Sequence, residues 1–244
     1  MISFIVPALS DEPYLEKTLK SIVREIENFG RDGFEILVML KGELPSYLKR
    51  LEEKHDYLKV YLTEGNRSQA RNEGAKLAKN HILTFVDADT EIGENFIQKT
   101  LEDFKKFAWV NYSARPLEQN KRRLYYYSKL MNFFQWLFSN ANFYRPYGFC
   151  MSVRKDICEK IKLGDEIFLS KLAGYGEDSE FGKRYGKFCR RNRLRGKYES
   201  GVRVYTSMRE WYNHGFWETA RRIVLNVLFV PLFKKPLIEN WRKI

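Results

Sequence analysis

Two aspartates one residue apart close an apolar run, ILTFVDADT at Ile82–Thr90. Alternate side chains of a strand share a face, so Asp87 and Asp89 point the same way unless the backbone bends. The carboxyl end of a buried strand is where an open α/β sheet places its ligands. Two carboxylates there repel each other and resist desolvation unless a cation or hydroxyl groups satisfy them. Mg²⁺ or Mn²⁺ carrying a nucleoside diphosphate meets that need, because a hard cation takes oxygen ligands and few protein carboxylates. A bare D-x-D also describes a strand end capped by two solvated acids, so its neighbours must decide.

Those neighbours are charged. Arg67 and Arg71 share one face of a helix that begins just upstream, where the amino end of the helix and two guanidinium groups favour phosphate oxygens. Taken singly, either arginine reads equally as part of a solvated basic face. Far downstream, Glu177 and Asp178 open another helical stretch. Acids suit a helix amino end for structural reasons alone, and they suit proton abstraction if they face a substrate.

Elements that could position these groups follow from periodicity. Ile2–Val6 is a short apolar strand ending at Pro7, and Ser10, Asp11 and Glu12 offer caps for a helix with Leu15, Leu19, Ile22, Val23 and Ile26 turned inward. A second buried strand runs Phe34–Leu40, a short helix Pro45–Lys54, and a third strand Leu58–Leu62. The helix Asn66–Ala78, with Ala70, Gly74, Leu77 and Ala78 inward, leads to the acid-tipped strand. Strands alternating with helices predict a mostly parallel, doubly wound α/β sheet. Beyond about Ile92 the pattern is α+β: helix Phe96–Phe107, strand Trp109–Arg115, aromatic helix Leu124–Phe138, strand Tyr147–Val153 with Gly148 allowing close backbone approach, helix Lys155–Ile161 and helix Glu177–Tyr185.

Composition sets the outer bounds. The 244 residues are 44% hydrophobic and 30% charged, as in a globular chain able to bury one good core. Aromatics reach 16% and cluster between Tyr125 and Tyr147. The net charge of +12 favours anionic partners, but no zinc-finger spacing, RRM-type aromatic octet or helix-turn-helix points to nucleic acid. Cys150, Cys158 and Cys189 leave at least one thiol unpaired and match no common zinc spacing. Met1 leads straight into a strand and no apolar run has the length of a membrane span, so a cytoplasmic setting is expected. Ile223–Phe233 (IVLNVLFVPLF), flanked by Arg221, Arg222, Lys234 and Lys235, suits either a core helix ended by Pro231 or a segment lying in an anionic bilayer interface. Peripheral contact at the cytoplasmic face of a membrane is therefore part of the expectation.

In order along the chain, IVPALSDE at Ile5–Glu12, ARNEGA from Ala70, VDAD at Val86–Asp89, YGFCMSVRKD at Tyr147–Asp156 and GYGEDSEFGKR at Gly174–Arg184 resemble the inverting nucleotide-sugar glycosyltransferases of family 2, which have the GT-A fold. The resemblance spans about Ile2–Tyr205. It implies a single catalytic domain over 1–205, with 1–92 as nucleotide-binding half and 93–205 as α+β acceptor half, followed by a basic, apolar tail at 206–244. Pro7, Ala8 and Leu9 would line the base and ribose pocket, with Asp11 where the family often has Glu. Asp87 would approach ribose or metal, Asp89 would coordinate Mn²⁺ or Mg²⁺ bridging the phosphates, and Asp178 would be the base, supported by Glu177. Arg209, in TSMR, could touch the diphosphate, and His214 is a candidate metal ligand.

One departure matters. Where many relatives end the second strand in aspartates that grip the uracil or ribose, this chain has Leu40 and Lys41. A guanine or another base is then as plausible as uracil. The expected activity is transfer of a single sugar from a nucleoside-diphosphate sugar to a hydroxyl acceptor, lipid-linked or membrane-proximal in view of the tail. No QxxRW-type run points to a processive synthase. A sugar-phosphate nucleotidyltransferase is the competing enzyme, disfavoured by the missing Gly-rich basic loop after the first strand, and a non-catalytic membrane-associated binding protein is the third reading.

Overall fold

The computed structural model describes residues 1–118, 122–174, 176–209, 213 and 221. Its first half alternates β1 (Ile2–Leu9), α1 (Leu15–Phe29), β2 (Glu35–Lys41), α2 (Ser46–Lys54), β3 (Leu58–Leu62), α3 (Arg67–Leu77) and β4 (Ile82–Val86). Then follow β5 (Thr90–Ile92), α4 (Phe96–Phe104), β6 (Trp109–Pro116), α5 (Arg122–Asn140), β7 (Cys150–Arg154), α6 (Lys155–Ile161), a 3-10 turn at Ser170–Leu172, α7 (Glu177–Arg191) and β8 (Lys197–Thr206). All eight strands join one sheet in the order β3-β2-β1-β4-β7-β6-β8-β5. Its first four strands are parallel, and β7 enters antiparallel between β4 and β6.

The sheet is covered on both faces because its strands are apolar on both. Phe4 and Val6 pack with Leu15, Leu19 and Ile22 of α1, while the intervening Ile5 packs with Ala70 and Ala75 of α3. This is the doubly wound half that the alternation predicts.

Several boundaries differ from expectation, each for a local reason. β1 continues through Pro7, because its pairing with β4 stops at the Ile5–Phe85 pair and one flank of the strand needs no donor beyond it. α1 starts after Tyr14, whose side chain makes no capping bond, and the Tyr14 N–H donates to Glu12 Oε1 at 3.3 Å. Leu77 is exposed rather than inward, while Ala70, Gly74 and Ala78 are buried, so the inward face of α3 is made of small residues. α4 ends at Phe104, β7 starts at Cys150 and α7 runs on to Arg191. Neither β5 nor β8 is anticipated by the sequence pattern. β5 is three residues long, and β8 is bulged against β6 between Tyr112 and Ser113, which breaks its alternation. The tail is expected to begin at 206, yet Thr206 closes β8. Apart from 207–209, 213 and 221, the rest of that segment lies outside the described residues.

Two features of this fold prepare the site. The antiparallel register pairs Val86 with Cys150, and the N–H of Asp87 donates to the Phe149 carbonyl at 2.9 Å, so Gly148 lies just beyond the carboxyl end of β4. Against β1, α3 sits so close to the sheet that a Cβ on Gly74 would stand 2.5 Å from Cγ2 of Ile5. Gly74→Ala should therefore be destabilising. The helix-propensity gain of about 1 kcal/mol is outweighed by an overpacking cost of about 2–3 kcal/mol against a buried, β-branched strand residue. Thermal unfolding checks the sign, and a variant more stable than the parent would mean that α3 is not pressed on the sheet.

Candidate active site

The D-x-D segment is a fixed turn rather than a strand continuation. β4 ends at Val86, and the N–H of Thr90 donates back to the Asp87 carbonyl at 3.1 Å. Buried Thr18 of α1 clamps the turn: its hydroxyl donates to the Ala88 carbonyl at 2.8 Å and accepts from the Thr90 N–H at 3.1 Å. The bend sends the two aspartates to different partners along one cleft.

Asp87 meets arginines from α3. Arg71 Nη2 donates to Asp87 Oδ1 at 2.6 Å and to the Gly148 carbonyl at 2.8 Å, while its Nη1 donates to Glu177 Oε1 at 3.2 Å. Its guanidinium also lies over the Phe168 ring, 5.4 Å from the centroid. Arg67, one helical turn earlier, places Nη2 2.8 Å from the same Glu177 oxygen and Nη1 3.8 Å from Asp87. The amino end of α3 that carries both is closed by a capping box between Asn66 and Gln69.

The acids at the start of α7 take opposite electrostatic roles. Glu177 is fully buried, and the N–H groups of Gly174 and Gly176 donate to its Oε2 at 3.0 and 3.3 Å. Burial pushes its pKa up, but the positive charges of Arg67 and Arg71 outweigh burial and hold it below the usual carboxylate value. Asp178 is only half-buried by its side chain, yet desolvation, followed by the negative charge of Glu177, pushes it up to about 6 against the pull of Arg71 and Arg67. The N–H of Gly148 donates to its Oδ2 at 3.0 Å and the N–H of Ser179 to its Oδ1 at 2.8 Å. A Cβ on Gly148 would sit 3.3 Å from that carboxylate and 3.4 Å from Arg71, so only glycine admits both groups without displacement. Two adjacent acids driven apart in pKa, one staying charged and one titrating near neutrality, form a pattern of acid–base sites.

At the other end of the turn, Asp89 Oδ2 and Glu12 Oε2 both accept from Nη2 of Arg209. The Ser207 N–H donates to the Asp89 carbonyl at 3.0 Å and so brings the end of β8 alongside. The cleft between, about 640 Å³, is lined by Pro7, Ala8, Leu9, Asp11, Glu12, Lys41, Arg67, Asp87, Asp89 and Arg209, among others. That volume is in the range of small-molecule sites. Among the described residues no group of three or more His, Cys, Asp or Glu forms a complete metal shell. The donor set nonetheless fits a hard divalent cation: two carboxylates already converge on one positive nitrogen, and phosphate oxygens or water commonly supply the remaining ligands.

Most residues singled out from the sequence therefore line this cleft or adjoin it. Arg71 is a correction: its side chain is fully buried and lies outside the cleft lining, so it joins protein groups together and is not exposed to a donor phosphate. Glu177 likewise supports its neighbours from within the protein. His214 lies outside the described residues. The S-D-E run does not by itself distinguish Glu12 from Asp11; both line the cleft, and Glu12 is the acid that meets Arg209. The sequence marks Gly148 only as a point of close backbone approach, whereas in the fold its N–H holds Asp178.

A family model described as glycosyl transferase family 2 matches residues 3–162. Among solved structures, the chain is similar to mannosyltransferase PcManGT from Pyrobaculum calidifontis, in complex with GDP-Man and Mn²⁺, at 16% identity and a TM-score of 0.69, covering 93% of this chain and 62% of that one. It is also similar to S. aureus TarS 1–349 in complex with UDP-GlcNAc, at 17% identity and a TM-score of 0.61, covering 84% and 58%. The uncharacterized glycosyltransferase EpsJ of Bacillus subtilis (strain 168) is 28% identical over 110 residues, 42% of this chain and 30% of its own length. The chain spans less than two thirds of the length of each of these relatives.

Removing one partner from the buried arginine network should cost far more than any surface ion pair. Arg71→Met leaves Asp87, Glu177 and the Gly148 carbonyl without their shared donor, and a loss of about 3–5 kcal/mol is expected in denaturant unfolding. Glu177→Gln should move the Asp178 titration below its value of about 6, because it deletes the negative neighbour while leaving both arginines. Carbon-13 NMR of the carboxyls reads that shift, and an unmoved or raised midpoint would remove Glu177 from the account.

Proposed function

This chain belongs to glycosyl transferase family 2 and has the GT-A fold, and from that premise we propose that it transfers a single sugar from a nucleoside-diphosphate donor to a hydroxyl acceptor, with inversion and with Mn²⁺ or Mg²⁺. The observation that carries the reading is the linkage of two groups of acids through one buried guanidinium: Asp87, beside Asp89 at the cleft, and Glu177, beside Asp178, both bond Arg71.

In this reading residues 1–92 hold the nucleotide and 93–205 face the acceptor. Pro7, Ala8 and Leu9 form the floor at the end of β1, where an open sheet binds its ligand, and Lys41 from β2 stands beside them. Lysine in that place offers a donor to a base, ribose or phosphate oxygen. It disfavours recognition by carboxylate, so a guanine base is as well supported as uracil. Arg67 lines the cleft while pairing with Glu177, and so presents a partly neutralised positive charge to the diphosphate. Arg209 closes the far side.

Direct displacement needs a base opposite the leaving group. Asp178 takes the proton of the acceptor hydroxyl as that oxygen bonds to the anomeric carbon, and the bond from that carbon to the diphosphate oxygen breaks with its electron pair leaving on phosphate. An upward-shifted pKa makes Asp178 a stronger base than an ordinary aspartate, while the Gly148 and Ser179 N–H groups fix its orientation. When bound, the divalent cation would be held by Asp89, with Glu12 as a second carboxylate, and would stabilise negative charge on the departing diphosphate.

Asp178→Asn should lower transfer by at least ~10²-fold while leaving donor affinity near that of the parent. Asp89→Ala should weaken Mn²⁺-dependent donor binding, read in a thermal-shift panel of nucleoside diphosphates and their sugars with and without the metal. If both variants turn over donor as the parent does, the assignment is wrong. The parent's kcat should rise with pH through about 6, as the folded-state Asp178 loses the proton that blocks base action. A profile flat from pH 5 to 8 would exclude Asp178 as the titrating base.

A further inference from the structure

Helix α5 is packed with its polar side inward. Its buried residues are Leu124, Ser128, Gln135 and Ser139, and half-buried Asn132 bonds both the N–H and the carbonyl of Ala114 on β6. Gln135 accepts from Asn111 at 2.8 Å and donates to the Arg145 carbonyl at 2.6 Å. The opposite face carries Tyr126, Leu130, Phe133 and Leu137, spaced by four, three and four residues, which is a single stripe along a helix. Tyr126 is 65% exposed, Phe133 53% and Trp136, on the flank of the stripe, 49%. An apolar stripe of this length, anchored by a hydrogen-bonded polar face, is built to meet something outside the molecule.

Its charge says what that partner is. α5 has Arg122, Arg123 and Lys129 exposed and no acidic residue. Just past its end, Asn142 joins the basic end of α7: the Asn142 carbonyl accepts from Arg190 at 3.3 Å, and its side chain bonds Leu194 and Gly196. Arg190 also lies 4.6 Å from the ring of Phe143, itself half exposed, with Arg191, Arg193 and Arg195 exposed nearby. Aromatic and aliphatic side chains bordered at both ends by arginines, with Trp and Tyr at the margin, are the composition of a helix lying in a headgroup layer. No helix among the described residues is long and apolar enough to cross a membrane.

We propose that the exposed face of α5, extended by Phe143 and the arginines of the α7 end, docks this protein on an anionic lipid bilayer. The same helix is fastened beside the proposed base. The hydroxyl of Tyr147 donates to the Met131 carbonyl of α5 at 3.2 Å, and the next residue, Gly148, holds Asp178. Docking would thus bring the acceptor side of the cleft to the bilayer, where a hydroxyl acceptor on a lipid is presented. The docking itself stands whether or not the transferase reading does, because it is measured without donor or acceptor.

Vesicle co-sedimentation of the full chain tests it, with phosphatidylcholine vesicles with and without phosphatidylglycerol. Binding should require the anionic lipid and weaken as salt is raised, and Phe133→Ser/Leu137→Ser should lower partitioning roughly tenfold or more without lowering Tm, since both side chains are exposed in the folded protein. Brominated lipid should quench Trp136, and Trp136→Phe should lose that part of the quenching while still binding. Vesicle binding unchanged in the double variant would assign the membrane contact to another segment and overturn the proposal. So would an absence of binding to either vesicle. A parent dimer that the double variant converts to monomer, with no vesicle affinity in either, would identify the stripe as an interface between copies instead.

Discussion

The buried guanidinium of Arg71 bonds three stretches of chain that are remote in sequence: Asp87 at the end of β4, Gly148 ahead of β7 and Glu177 at the start of α7. A charge so far from water is tolerated only with its counter-charges in place, so none of the three stretches can move away without stranding it. The electrostatics of the acid pair follow from the same contact. Arg67 and Arg71 keep Glu177 ionised, while burial, and after it the charge of Glu177, raises Asp178 against the pull of the two arginines.

The sheet makes that meeting possible. Its parallel half delivers the ends of β1, β2 and β4 to one edge, as any doubly wound sheet does. Inserting β7 antiparallel reverses the direction of entry, so the chain arrives over that same edge before pairing with β4. Gly148 is on this approach, and the lack of a side chain lets Arg71 and Asp178 close on it from two sides. Opposite, β8 ends beside the D-x-D turn, and Arg209 reaches Asp89 and Glu12 from there. The turn is held by Thr18 from below and flanked by arginines on both sides.

The parts legible in the sequence were those written in local pattern. The apolar runs of β1, β2 and β4, the inward face of α1 and the abrupt acids at Asp87 and Asp89 all follow from period and type. What escaped depended on distant partners. Arg71 looked like a phosphate ligand because nothing local shows that Glu177, 106 residues later, will neutralise it. β8 is bulged, and β5 has only three residues, so neither carries a readable alternation. Glu12 and Asp11 are adjacent acids in one loop, and only the arrival of Arg209 distinguishes them. The aromatic density of α5 was plain, whereas its inversion was not, since Ser128, Gln135 and Ser139 give no local sign of being the buried side.

The stereochemistry of donor cleavage is the most direct test of the central claim, that Asp178 activates an oxygen nucleophile for attack opposite the diphosphate. With water as a slow substitute for the acceptor hydroxyl, proton NMR of a nucleoside-diphosphate sugar incubated with the protein and Mn²⁺ reports which anomer appears before mutarotation. The anomer opposite to that of the donor should appear first, and should vanish when Asp178 is replaced by Asn. Release of the donor's own anomer first would contradict it.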